Sequence, residues 1–83
     1  EFLLVMPGTG QAGALVIAER ARNAIQNLAC VTDNQEIRIT VSAGIGTLVL
    51  REESSISQLV SLADQSLYRA KRGGRNRWVR GDL

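Results

Sequence analysis

The chain has 83 residues, 45% of them hydrophobic, which suits a folded domain and is too high for disorder. Its one cysteine, Cys30, excludes an internal disulfide framework, and the lack of histidine excludes a Ser-His-Asp triad and argues against a typical zinc site. Acid–base or metal chemistry is left to eight carboxylates, a hard oxygen donor set suited to an ion such as Mg²⁺, and a net charge of +2 does not by itself imply nucleic-acid binding.

Residues 2–6, FLLVM, are a continuous apolar run that predicts a short strand buried on both faces and stopped by Pro7-Gly8. Such a strand at the second residue, with no initiator methionine, leads to the expectation that this is a piece of a longer domain. From about 11 to 29, Ala14, Ala18, Ala21, Ile25 and Leu28 recur at helical spacing, with Arg20, Arg22, Asn23, Gln26 and Asn27 at the polar positions. The polar run TDNQE (32–36) predicts a turn. After it Ile37, Ile39, Val41, Ala43 and Ile45 alternate with Arg38, Thr40, Ser42 and Gly44, which predicts one strand with a single face toward a core. Residues 47–50 extend it or form a neighbour.

Ser55-Ile-Ser-Gln58 has the form of a capping box, in which serine and glutamine each satisfy a free backbone group at a helix start. The stripe Ile56, Leu59, Val60, Ala63, Leu67 and Ala70 then predicts a helix ending at Gly73-Gly74. Asp64 and Tyr68, one turn apart, are expected to tie this helix to its surroundings. Arg77-Trp78-Val79 predicts a short last strand, and Trp78 and Cys30 read as packing residues. The order is β-α-β-(β)-α-β, an open sheet with helices packed on it. No apolar run is long enough to span a bilayer and no signal-peptide layout is present, so a cytoplasmic domain is expected, with membrane anchoring of a longer protein left open.

Charge is concentrated late. Five arginines and the only lysine lie between 69 and 80 with no acid among them. Cations in a last helical turn favour the macrodipole and cap free carbonyls, so a purely local role competes with anion binding. The tail lacks interleaved aromatics, so nucleic acid is not expected as a partner.

Three segments together resemble the GGDEF-domain diguanylate cyclases. Glu1-Phe2 and the following LLVMPGT look like the end of the Gly-Gly-(Asp/Glu)-Glu-Phe signature and its strand. ITVSAGIG (39–46) is similar to the family's central strand, and ADQSLYRAKRGGRNRWV (63–79) to its closing helix and strand. The resemblance implies an α/β (α+β) domain like the palm of nucleotide cyclases and polymerases, a mainly antiparallel sheet flanked by helices. It implies condensation of two GTP into cyclic di-GMP with release of pyrophosphate, supported by Mg²⁺ or Mn²⁺. A homodimer would place two bound GTP face to face, and an N-terminal sensory or receiver domain is expected in the full-length protein.

The resemblance also assigns residues. Glu1 aligns with the last acid of the signature, a metal ligand or an aid to deprotonation of the attacking hydroxyl. Lys71 and Arg75 match the cations that contact the GTP phosphates, one a compact point charge and the other a planar fork. Arg69, Arg72, Arg77 and Arg80 are read as solvated charge. Arg20 matches a secondary contact for inhibitory cyclic di-GMP. Ser42, Gly44 and Gly46 make one strand face small, which suits close helix packing.

Residues 1–83 are thus expected to be the second half of one GGDEF domain. The signature's Gly-Gly and first acid, the other metal-binding aspartate, the guanine-reading residues and the Arg-x-x-Asp inhibitory motif do not occur in it. Alone it is expected to be inactive. The alternative reading is a degenerate GGDEF domain that binds nucleotide or dimerises without chemistry, and the residues preceding Glu1 discriminate the two.

Overall fold

Two consecutive apolar and polar periodicities, one helical and one alternating, become the two packed parts of a computed structural model that describes residues 1–49 and 55–81. Helix α1 spans Gln11–Gln26, and the strands β1 (Ala29–Thr32), β2 (Gln35–Arg38) and β3 (Ala43–Gly46) follow. Helix α2 spans Ile56–Arg72 and leads to β4, Trp78–Gly81. The α+β class expected from the sequence holds. Among the described residues, no helix is long and apolar enough to cross a membrane.

The last three elements form the body. Strand β3 pairs in parallel with β4, Ala43 opposite Trp78 and Gly46 opposite Gly81, and α2 makes the crossover between them. Parallel strands require such a crossover, and the helix then covers the ladder it connects. Helix α2 packs on both strands, and α1 adds lighter contacts with the same pair. Among the described residues the buried ones are Ala14, Ile45, Leu62, Ser66, Ala70 and Gly81.

Helix α2 begins as its sequence predicts. The Gln58 N–H donates to Ser55 Oγ at 3.2 Å, and the Ser55 N–H donates to Gln58 Oε1 at 3.3 Å. Ser55→Ala is expected to cost about 1 kcal/mol of stability, measured by urea denaturation. The buried line of the helix is Leu62, Ser66 and Ala70, with Ala63 and Leu67 half-buried beside it, while Ile56 at the start is 75% exposed. The predicted stripe thus gives way to a line one residue round the helix. The cause is the small face it meets: a side chain at Gly81 would run into Ser66 and Leu62, and one at Gly44 into Ala63 and Leu67. The Ser66 hydroxyl is satisfied within the helix, donating to the Leu62 carbonyl at 2.8 Å. Asp64 and Tyr68 are both exposed and, among the described residues, make no side-chain hydrogen bond or ion pair to another element. The Tyr68 hydroxyl instead accepts from Arg72 at 2.8 Å, on the same helix.

Two strand expectations change. The alternating segment predicted as one strand is divided between two ladders. Its first part joins an antiparallel hairpin, Cys30 opposite Ile37 and Thr32 opposite Gln35, and its last part is β3. Asp33 and Asn34, at φ 51° and 64°, form the two-residue turn. Both residues tolerate left-handed backbone, and such a turn matches the twist of the strands it joins. Alternation reports which way side chains face and says nothing about continuity of partners. Cys30 lies exposed on this hairpin and is not an interior packing residue.

Residues 2–6, expected as a buried strand, make no ladder among the described residues, and Phe2, Leu3, Leu4 and Val5 are largely exposed. An apolar run becomes a buried strand only where backbone partners and a covering layer exist. The molecule is accordingly drawn out, 54 × 25 × 18 Å, with a radius of gyration of 14.7 Å. A compact chain of this length is expected at about 12 Å. Residues 50–54, including the end of the proposed strand extension, lie outside the described residues.

Candidate phosphate-binding site

The end of α2 carries the candidate cations. Arg69, Lys71 and Arg72 occupy its last turn, where their charge opposes the partial negative charge of free carbonyls. The helix stops in a Schellman motif. The Arg75 N–H donates to the Ala70 carbonyl at 3.0 Å and the Gly74 N–H to the Lys71 carbonyl at 3.4 Å. Gly74 takes φ 122°, a region glycine enters without strain. These bonds take up the carbonyls that would otherwise face an incoming anion and leave Arg75 exposed just past the helix.

Lys71 meets Glu1 across the whole length of the sequence. Its Nζ lies 3.4 Å from Glu1 Oε2, both side chains being well exposed, 39% and 70%. An exposed pair at this separation is worth roughly 0–1 kcal/mol and is weakened by salt, so it is no structural staple. It leaves a carboxylate and an ammonium side by side, each free to exchange its partner for an ion of opposite sign. The Arg75 guanidinium makes no hydrogen bond or ion pair among the described residues. Of the other arginines expected to be solvated, Arg72 lies over the Tyr68 ring at 5.5 Å, Arg77 Nε donates to the Arg75 carbonyl at 3.0 Å, and Arg80 reaches Gln11 Oε1 at 3.4 Å. Arg20 stands exposed on α1.

A second cluster escaped the sequence reading. Arg22 Nε donates to Glu19 Oε2 at 3.0 Å, and Nη2 donates to Glu19 Oε1. Its Nη1 donates to Gln26 Oε1 at 2.9 Å and to Asn76 Oδ1 at 3.1 Å. Trp78 Nε1 donates to Glu19 Oε2 at 2.8 Å. Trp78, expected only to pack, is half-buried and hydrogen-bonded. Glu19, Arg22, Asn76, Arg77 and Trp78 line an open groove of about 420 Å³. The i, i+3 spacing of Glu19 and Arg22 was visible in the sequence, but neither distant partner was.

The two hydrogen bonds from Arg22, then that from Trp78, hold the Glu19 carboxyl down at about 2, well below its ordinary 4.5, and Glu19 in return raises the Arg22 guanidinium. A carboxyl depressed by folding contributes stability that is present above the unfolded value and is lost as pH falls through the folded one. Acid titration of wild type should therefore lose stability between about 4.5 and 2 that Glu19→Gln does not lose. The readout is denaturant midpoint against pH; identical profiles would remove this group from the account.

A carboxylate beside a lysine, at the end of a cation-rich helix, suits an anionic phosphate together with a hard cation. Among the described residues no three carboxylate, cysteine or histidine side chains gather as a metal cage. Glu1 offers one carboxylate, and Mg²⁺ takes one or two together with substrate phosphate and water.

Comparison with known proteins shows the family of the chain. Residues 1–77 match the family model for the GGDEF domain of diguanylate cyclases. The chain is 34% identical to diguanylate cyclase A of Treponema denticola over 77 residues, which are 93% of this chain and 20% of that protein. It is also 34% identical over 77 residues to diguanylate cyclase DosC of Escherichia coli, again 93% of this chain and 16% of that one. The chain belongs to the GGDEF-domain family of diguanylate cyclases, and it spans a fifth or less of these relatives' length.

Proposed function

We propose that residues 1–83 are the second half of a GGDEF domain and supply the phosphate-binding side of a diguanylate cyclase site. The observation that carries this reading is the meeting of Glu1 and Lys71 at 3.4 Å, beside the turn that presents Arg75. In the reaction each GTP 3′-oxygen forms a bond to the α-phosphorus of the other GTP. The bond to pyrophosphate breaks, and the hydroxyl proton leaves. Lys71 and Arg75 hold the triphosphate and offset charge on the departing pyrophosphate. Glu1 would hold the divalent ion or draw off the hydroxyl proton. Mg²⁺ or Mn²⁺, when bound, neutralises phosphate charge and stabilises attacking and leaving oxygens.

The symmetry of the product supports a homodimer, one GTP per domain. An N-terminal sensory or receiver domain fits the greater length of the relatives. Arg20, exposed on α1, is offered as a secondary contact for cyclic di-GMP acting as inhibitor. The 83 residues alone are expected not to turn over GTP, because the signature's Gly-Gly and first acid and the family's other metal-binding aspartate do not occur in them.

The test is to incubate the full-length protein with GTP and Mg²⁺ and identify the products by mass. Cyclic di-GMP with two pyrophosphates per molecule is the expected result. Tight GTP binding without product would favour the degenerate, binding-only reading and overturn catalysis.

A further inference from the structure

The turn that carries Arg75 is braced from behind, and nothing in the phosphate site itself explains the brace. Gly74, Arg75 and Asn76 have φ of 122°, 64° and 46°, three successive residues in left-handed backbone. Only the first is a glycine. Asparagine enters this region readily, but arginine does so rarely. A bulky residue held there needs its surroundings to keep it so.

Those surroundings lie on α1. The Arg22 guanidinium is 19% exposed and makes four hydrogen bonds, one of them to Asn76 Oδ1 at 3.1 Å across 54 residues of sequence. Glu19 locks the guanidinium plane with two of the others and also accepts from the Trp78 indole. One ion pair thus grips the turn at Asn76, the residue after Arg75, and again at Trp78. Between them the Arg77 carbonyl accepts from the Ala43 N–H at 2.9 Å, which joins the turn to β3. A solvated arginine on a helix surface would reach same-helix neighbours such as Glu19 and Gln26 but not Asn76.

We propose that Arg22 is a positioning residue for phosphate binding. Through Asn76 it holds the left-handed turn from which Arg75 projects, and Glu19 sets its orientation. This rests on the reading of Lys71 and Arg75 as phosphate ligands. The brace contributes to stability through Glu19 and Trp78, while the buried line Leu62, Ser66 and Ala70 packs α2, so loss of the Asn76 contact acts on substrate affinity as well as on stability. Preorganisation of this kind lowers the entropy lost when a flexible cation closes on its ligand.

The experiment measures calorimetric affinity of the full-length protein for 3′-deoxy-GTP with Mg²⁺, a substrate analogue without the attacking hydroxyl. Arg22→Met is expected to raise Kd about tenfold, the order of one charge-assisted hydrogen bond's worth of positioning. In an Arg75→Ala background the same substitution should change Kd by less than about twofold, because no positioned fork remains to be lost. Asn76→Gly keeps left-handed backbone accessible and the Arg22–Glu19 pair intact, and should match Arg22→Met; it decides the matter if Arg22→Met fails to fold. For GTP turnover, KM should rise with kcat nearly unchanged. Wild-type affinity in both variants overturns the proposal, as does an undiminished tenfold loss in the Arg75→Ala background. If wild type itself does not bind 3′-deoxy-GTP, the phosphate site falls and this inference with it.

Discussion

Gly44→Ala is expected to destabilise the β3-α2-β4 body severely and to lower its urea midpoint. A methyl group at this position would overlap the Ala63 carbonyl oxygen and the Leu67 backbone nitrogen, and would lie 2.7 Å from Leu67 Cα. All three are backbone atoms of α2, so no side chain can turn aside to make room. The helix would have to retreat roughly 1 Å from β3, and close packing does not tolerate such a gap. Overpacking of this kind costs about 3 kcal/mol or more. A domain of this size has only about 4–12 kcal/mol to lose. Gly13→Ala is the matched control. Its new methyl would approach only the flexible Thr9 Cγ2, at 3.0 Å, inside a helix. It should be neutral or stabilise by about 0.5–1 kcal/mol. Circular dichroism during urea denaturation reads both; a Gly44→Ala midpoint within error of wild type would contradict the packing described.

Lys71→Ala and Arg75→Ala should each lower kcat/KM for GTP in the full-length protein by about ten- to a hundredfold, the range of a lost charge-assisted hydrogen bond. Neither change should disturb the fold. Lys71 is partly exposed and pairs, among the described residues, with the exposed Glu1, while Arg75 is exposed and its backbone bonds survive truncation. Loss of Lys71 removes a favourable charge from the last helical turn, worth about 0.3–1 kcal/mol. Arg75→Lys keeps charge and loses the planar fork, so its defect should fall between wild type and Arg75→Ala. Unchanged turnover in both alanine variants, with the unfolding midpoint preserved, would show that these cations only finish the helix.

The sequence was most legible where a signal is local. The capping box at Ser55 and Gln58 and the stop at Gly73-Gly74 mark α2 within a residue, because hydrogen-bonding side chains and glycine act on their own stretch of backbone. The small face of β3 was legible too, and Gly44 and Gly46 lie against α2 as that reading required. The hairpin was harder. Asp33-Asn34 turns the chain without the glycine that usually announces a two-residue loop, so β1 went unread. FLLVM had the composition of a buried strand, yet burial depends on neighbours that composition does not specify.

The site divides in the same way. Lys71 and Arg75 emerged from a motif contiguous in sequence. Arg22 did not, because helical spacing places it among polar positions and its partner Asn76 lies at the far end of the chain. Asn76 follows two glycines and an arginine, and an asparagine there was a fair sign of left-handed backbone. It gave no sign of what holds that backbone in place.

The most direct test of the phosphate assignment is a binding series in the full-length protein, wild type against Arg75→Ala, with GTP, GDP and GMP in the presence of Mg²⁺. If the end of α2 holds phosphate, the fold-loss in affinity grows with the number of phosphates and is largest for GTP. An equal loss for all three nucleotides would contradict it.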